Sequence, residues 1–193
     1  MSATLSANVP SRKVISNGMI GMILLLAAEV MFFAGLLSAF VVNKAVASAM
    51  PSIKQPRLPV EVTTLNTLVL LASAVILFLF SRKYKKEKQS LALLSLSVVL
   101  GIIFLTVQGT EWVKLLNFGF STSTSLYGAF FYTIIGAHAV HVVVGLLLLV
   151  YLFSSLKKNN SFESAKNRIE VLSLYWYFVA GIWPVLYVLV YLV

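Results

Sequence analysis

Three ionisable side chains sit deep inside apolar stretches: Glu29 in LLLAAEVMFFAGLLSAF, and His138 and His141 in GAHAVHVVVG. The i, i+3 spacing of the histidines puts both imidazoles on one face of a helix, with Gly145 one turn farther along that stripe. Gln108 and Glu111 lie one turn apart in FLTVQGTEW. Such a set admits three kinds of chemistry. It can ligate a metal or haem, because neutral imidazole is the commonest metal ligand. It can line a proton or substrate path of the chain's own, as in a transporter. It can also form a polar contact that fixes helix packing and is lent to a neighbour's function. Haem-binding bundles draw ligands from facing helices, whereas these histidines share one helix, and the Glu-x-x-His pairing of di-iron bundles is not found. A transporter built on alternating access normally carries internal repeats, and this sequence has no visible repeat. There is no cysteine, which removes disulfides, thiolate nucleophiles and cysteine-bound metal.

The elements that must position these residues are read from hydropathy. Of 193 residues, 60% are hydrophobic and 11% charged, against about a quarter charged for a soluble domain. Five apolar segments emerge at about 18–42, 62–80, 91–113, 126–154 and 171–193. At 1.5 Å per residue each can cross a hydrocarbon core of about 30 Å, and the fourth must tilt or protrude. The expected fold class is all-α: a polytopic membrane protein forming a bundle of five transmembrane helices. Residues 1–17 form a polar N-terminal segment and 18–193 the transmembrane domain. The first apolar run is too long for a signal-peptide core and reads as a mature helix. Between the segments, Pro51, Pro56 and Pro59 break the 43–61 connection. Residues 81–90 form a basic turn, 117–125 a Ser/Thr/Gly loop that can cap helix 4, and 157–170 a mixed-charge segment able to form a short surface helix.

Basic residues orient the bundle. Arg12, Lys13, Arg82, Lys83, Lys85, Lys86, Lys88, Lys157, Lys158, Lys166 and Arg168 fall on one side, eleven in all; Lys44, Lys54, Arg57 and Lys114 fall on the other. The asymmetry places the N-terminus in the cytoplasm and the C-terminus outside. It also explains the net charge of +9 without nucleic acid as a partner.

A charge in hydrocarbon costs at least about 2.5–3.5 kcal/mol, so Glu29, about eleven residues into its helix and near the midplane, is expected to be protonated or paired. Its depth matches that of His138 and His141, which are the expected partners. Other features are blander. Ala34/Ser38 and Gly35/Ala39 are small-xxx-small spacings suited to close helix approach. Trp176, Trp183, Tyr187 and Tyr191 fall near one stripe of helix 5, as interface anchors and packing groups. Pro184 leaves the Ala180 carbonyl without its helical donor and predicts a kink.

Five stretches in order then resemble subunit III of the haem-copper oxidases, the cytochrome c and quinol oxidases. They are AAEVMFFAGLLSAF, LPVEVTTLNTLVLLASA, FLTVQGTEW, LYGAFFYTIIGAHAVHVVVG and LYWYFVAGIW, and they span nearly all of 18–193. The resemblance implies an accessory subunit without redox metal of its own, in a proton-pumping complex that reduces dioxygen to water with electrons from cytochrome c or a quinol. Haems and copper are then expected in partner subunits I and II. Subunit III is expected to pack directly on subunit I, bind phospholipid in a cleft and support proton uptake, in a prokaryotic plasma membrane. Glu29 matches the family's intramembrane glutamate, His138 and His141 its G-x-H-x-x-H segment, and Glu111 the acidic residue closing helix 3. Arg82 and Lys83 are candidates for lipid head groups. Two departures stand out. Tyr177 and Ala180 occupy positions where the family usually has His and Asp, and the chain resembles the five-helix bacterial form, beginning at what is the third helix of seven-helix relatives. An accessory protein of a nitric oxide reductase is the neighbouring alternative, and an independent small transporter the alternative of another class.

Overall fold

The computed structural model describes residues 16–48, 60–84, 91–119, 122–123, 126–158 and 162–192. Helix α1 spans Asn17–Ser48, α2 Val60–Tyr84, α3 Leu91–Asn117, α4 Leu126–Lys157 and α5 Phe162–Tyr187, which runs on into a π-helical turn, Val188–Leu192. No strand occurs among the described residues. All five helices are long and apolar enough to cross a membrane, so the chain is a multi-pass, all-α membrane protein.

The helices run beyond the stretches that hydropathy marks. Helix α2 continues through Arg82 and Lys83 to Tyr84. Helix α5 starts at Phe162, so the mixed-charge segment is the first two turns of a transmembrane helix rather than a separate surface helix. Its reason is visible in the side chains: Ala165 and Ile169, four residues apart, are both buried while Glu163 and Asn167 are exposed and Lys166 and Arg168 half-buried. An amphipathic extension of this kind holds the helical path after the hydrocarbon ends. Helix α3 closes at Gly119, whose φ of 83° suits a residue without Cβ. There Phe118 N donates to Lys114 O and Gly119 N to Leu116 O, a pattern typical of helix C-termini. Pro51, Pro56, Pro59, the basic residues at 12–13, 54, 57 and 85–88, and residues 120–121 and 124–125 of the Ser/Thr loop before α4 lie outside the described residues.

Helices α2, α3, α4 and α5 each pack against the next and close into a four-helix bundle, while α1 lies outside it against α4 and α5. The two ends are identifiable. At one, Ser16 at the start of α1 hydrogen-bonds Asn167 of α5 at 2.6 Å, and Tyr84 of α2 stacks on Phe162 with ring centroids 5.8 Å apart. At the other, Tyr187 of α5 meets Thr64 of α2 at 2.6 Å, and Lys44 of α1 lies over Tyr127 of α4. Successive helices therefore alternate in direction.

One side chain organises the bundle interior. Trp176 of α5 is fully buried between Gly101 of α3 and Gly145 of α4. A Cβ at Gly101 would fall 2.8 Å from its ring, and one at Gly145 2.7 Å. Its indole N–H donates to Ser73 Oγ of α2 at 3.1 Å. Ser73 and Ser97 in turn donate to each other's backbone carbonyls at 2.9 Å. Four helices thus meet on one tryptophan. The absence of Cβ atoms permits the approach, and the polar atoms buried with it are satisfied, as a medium without water requires.

Candidate functional site

Glu29 projects from α1 toward α4, where its Oε2 lies 2.8 Å from His141 Nε2. The other ring nitrogen, Nδ1, lies 2.7 Å from the Ala137 carbonyl oxygen one turn back on the same helix. Both side chains are only partly covered, 23% exposed for Glu29 and 16% for His141. The exposure comes from a groove of about 280 Å³ between α1, α4 and α5, lined by Met22, Leu25, Val140, Val144, Leu148 and Tyr175 around the pair. Phe32 stacks on the His141 ring at 6.3 Å and Phe33 meets it edge-on at 5.2 Å. The apolar lining leaves the Glu29–His141 contact as the polar feature of the groove floor.

His138 does not join the pair. It is 1% exposed and stacks on Trp183 at 4.8 Å, with Phe33 and Phe104 edge-on to it. Neither of its ring nitrogens has a hydrogen-bond partner. The i, i+3 spacing that places both histidines toward the interior still separates their roles: one turn of helix moves the ring from the groove to the dry core.

Glu111 lies elsewhere as well. It is buried, and pairs with the exposed Lys114 at 2.6 Å within α3. One turn before it, Gln108 donates to Tyr191 OH at 2.9 Å and accepts from Asn66 Nδ2 at 3.3 Å. Asn66 Nδ2 also reaches the Phe104 carbonyl at 3.0 Å. Trp183 Nε1 donates to Thr67 Oγ1 at 2.9 Å. These contacts form a polar ladder joining α2, α3 and α5 beside the Trp176 junction. Among the described residues no three His, Cys, Asp or Glu side chains gather as a metal site would need.

The remaining sequence features sort clearly. Trp176 and Trp183 are fully buried packing groups, not interface anchors, because their N–H groups find serine and threonine partners inside the bundle. Ala34, Gly35 and Ser38 are exposed, and a Cβ at Gly35 would meet nothing within 4 Å, so the small-residue spacings of α1 do not serve helix approach within this chain. Arg82 lies over the Phe78 ring at 4.5 Å, at the α2 end that also carries Lys83. Tyr177 has Phe78 edge-on at 6.5 Å, and Ala180 is buried.

A family model described as cytochrome c oxidase subunit III matches residues 4–193. The chain belongs to the cytochrome c oxidase subunit III family. Its relatives include the cytochrome c oxidase subunit 3 of Synechocystis sp., 30% identical over 177 residues that cover 90% of this chain and 75% of the relative. The Corynebacterium diphtheriae protein of the same name is 30% identical over 178 residues, covering 90% of this chain and 87% of that one. The Dasypus novemcinctus protein is 32% identical over 179 residues, 89% of this chain and 67% of the relative. Membership makes the chain a subunit of an oxidoreductase complex containing other oxidase subunits.

Of the polar ladder and the Trp176 junction, the sequence marks Gln108, Gly145, Trp176, Trp183 and Tyr191, but not Asn66, Thr67, Ser73, Ser97 or Gly101, nor that these groups meet. The ladder has a faint signal, since Asn66 and Ser73 are polar residues seven apart within an apolar segment. Gly101 has none, because the need for it arises only when Trp176 arrives from another helix.

Proposed function

We propose that this chain is the accessory, metal-free subunit III of a proton-pumping haem-copper terminal oxidase, which reduces dioxygen to water with electrons from cytochrome c or a quinol. The haems and copper belong to subunits I and II. This chain packs on subunit I, stabilises it, and holds phospholipid. Glu29 and His141 are the groups that assist proton uptake; His138 and Glu111 serve packing. The observation that carries this reading is the Glu29–His141 contact at 2.8 Å in a groove lined by apolar side chains. A polar pair of this kind inside a membrane is expensive and marks function more often than accident. The relatives named above, all cytochrome c oxidase subunits, favour an oxidase over a nitric oxide reductase, and membership of a subunit family argues against a transporter working alone.

The orientation follows from the basic residues. The end that gathers Arg82, Lys83, Lys157, Lys158, Lys166 and Arg168 is cytoplasmic, and the end that carries Lys44 and Lys114 is outside, in a prokaryotic plasma membrane. Arg82 and Lys83 then stand at head-group level on the cytoplasmic leaflet, where anionic lipid attracts cations. The test is the composition of the complex that a tagged chain brings out of the membrane. Haem-bearing partners with oxygen-reducing activity support the reading, and turnover should become shorter-lived when this chain is stripped away.

A further inference from the structure

The hydrogen-bond geometry of His141 fixes how many protons the Glu29 pair holds. A carbonyl oxygen can only accept, so Nδ1 at 2.7 Å from Ala137 O carries a hydrogen. In a neutral imidazole the other nitrogen is then a bare lone pair. That nitrogen faces Glu29 Oε2 at 2.8 Å, and an ionised carboxylate oxygen is likewise only an acceptor. Two acceptors do not sit at 2.8 Å without a hydrogen between them. We infer that Glu29 and His141 form a proton-dependent clasp, in which one proton held on the Oε2–Nε2 line fastens α1 to α4 and its loss releases α1 along the groove.

The proton balance is simple. With the proton present, the pair is either imidazolium with carboxylate or imidazole with carboxylic acid, and is neutral overall in both. On release the proton passes to water reaching the pair from the cytoplasmic end of the groove, which Met22 and Leu25 border. The pair is left with a net charge of −1, as a carboxylate facing the lone pair of a neutral imidazole. Repulsion then replaces attraction at the point where α1 meets α4. Other titratable groups are few. On α5, Tyr175 lines the same groove. On α4, His138 lies one turn from His141 but faces Trp183 and Phe104 instead. Among the described residues, helices α2 and α3 add none to the groove lining, and no Lys or Arg lines it. No fixed positive charge among these residues therefore replaces the proton when it leaves.

Helix α1 is suited to respond. Only 11% of its apolar window is buried, against 33–44% in the other four helices, and it packs on α4 and α5 from outside the closed bundle. Phe33, Leu37 and Phe40 hold its inner face. On the cytoplasmic side of Glu29, Met22 and Leu25 border the groove. That stretch, held otherwise by Ser16 on Asn167 at its start and by the packing of Met22 and Leu26, can separate along the groove when the clasp opens. The inference deepens the reading of Glu29 and His141 as proton-supporting groups and rests on it.

The absence of cysteine allows a direct test in the intact oxidase complex. Met22→Cys on α1 and Leu148→Cys on α4 each lie seven residues from the clasp at the same level of two antiparallel helices. Their cross-linking rate is measured from mildly acid to alkaline pH in three backgrounds. Glu29→Gln can donate an amide N–H to the bare Nε2 and needs no shared proton, so it holds the clasp shut at every pH and corrects for thiol ionisation. Glu29→Leu has no clasp. The ratio of the Glu29 rate to the Gln rate should be near one at acid pH and fall several-fold toward alkaline pH, with the Leu rate low throughout. A flat ratio overturns the clasp. Should Glu29→Leu fail to assemble, nitrogen NMR of ring-labelled histidine in the complex decides instead: His141 with Nδ1 protonated supports the inference, and bare Nδ1 overturns it. Retention of the partner subunits in each background reports separately on the accessory-subunit reading. A flat ratio with partners retained sinks only the clasp, whereas a chain that purifies without haem-bearing partners sinks the reading beneath it.

Discussion

Gly145→Ala tests the junction at Trp176. The added methyl would sit 2.7 Å from Cε3 and 2.9 Å from Cζ3 of Trp176, and 3.4 Å from Tyr175. The indole has nowhere to retreat, because a Cβ at Gly101 on its far side would lie 2.8 Å from the same ring. Overpacking of this sort costs about 1–3 kcal/mol. If the ring tilts to escape, its N–H leaves Ser73 and goes unsatisfied in a dry interior, at about 1–3 kcal/mol. Alanine returns about 1 kcal/mol over glycine in helix propensity. The balance is a loss of about 2 kcal/mol, a factor on the order of 30 in the folded-to-unfolded ratio. The assay is loss of this chain from the detergent-solubilised complex on heating, read by size exclusion. Gly35→Ala and Gly136→Ala serve as controls, since a Cβ at either meets nothing within 4 Å in this chain. Adding Trp176→Phe, which trims the ring that the methyl strikes, should recover part of the loss, so the double variant costs less than the two singles combined. Gly145→Ala melting together with the controls would refute the reasoning.

His138→Phe should leave stability unchanged or raise it by about 1 kcal/mol, because both ring nitrogens are buried without partners and a phenyl keeps the stack on Trp183; thermal dissociation of the complex checks this, and a large loss would show that the imidazole has a polar partner. For topology, single cysteines at Ser90 and Ser123 should react with an impermeant thiol reagent from opposite sides of the membrane, Ser90 from the cytoplasm, and labelling of both from one side would contradict the orientation.

How much of this was legible in the sequence depends on whether a single helix carries the signal. The five helices were, because hydrocarbon demands long apolar runs whatever surrounds them. Their ends were not: Ala165 and Ile169 bury one face of a charged stretch, and hydropathy averages that face away. A partner for Glu29 was legible from cost alone, since a carboxyl at the midplane must find one. Which histidine it would be was not. His138 and His141 share an apolar face, and only the placement of α1 between α4 and α5 decides that His141 meets the groove while His138 faces Trp183. The Trp176 junction depends on the register of four helices at once, so neither Gly101 nor Gly145 announces it. The stripe through Trp176, Trp183, Tyr187 and Tyr191 was visible, but its position inside the bundle was set by Ser73, Thr67, Thr64 and Gln108, which supply the hydrogen bonds.

The central claim is that this chain works inside an oxygen-reducing complex. A tagged copy should be extracted in mild detergent and the chains that accompany it identified, with one reduced-minus-oxidised spectrum and an oxygen-consumption assay on the same sample. The account predicts larger partners, haem absorbance carried by them, and oxygen uptake driven by cytochrome c or a quinol. A chain that emerges alone or as a homo-oligomer, or with partners that reduce nitric oxide and not oxygen, would contradict it.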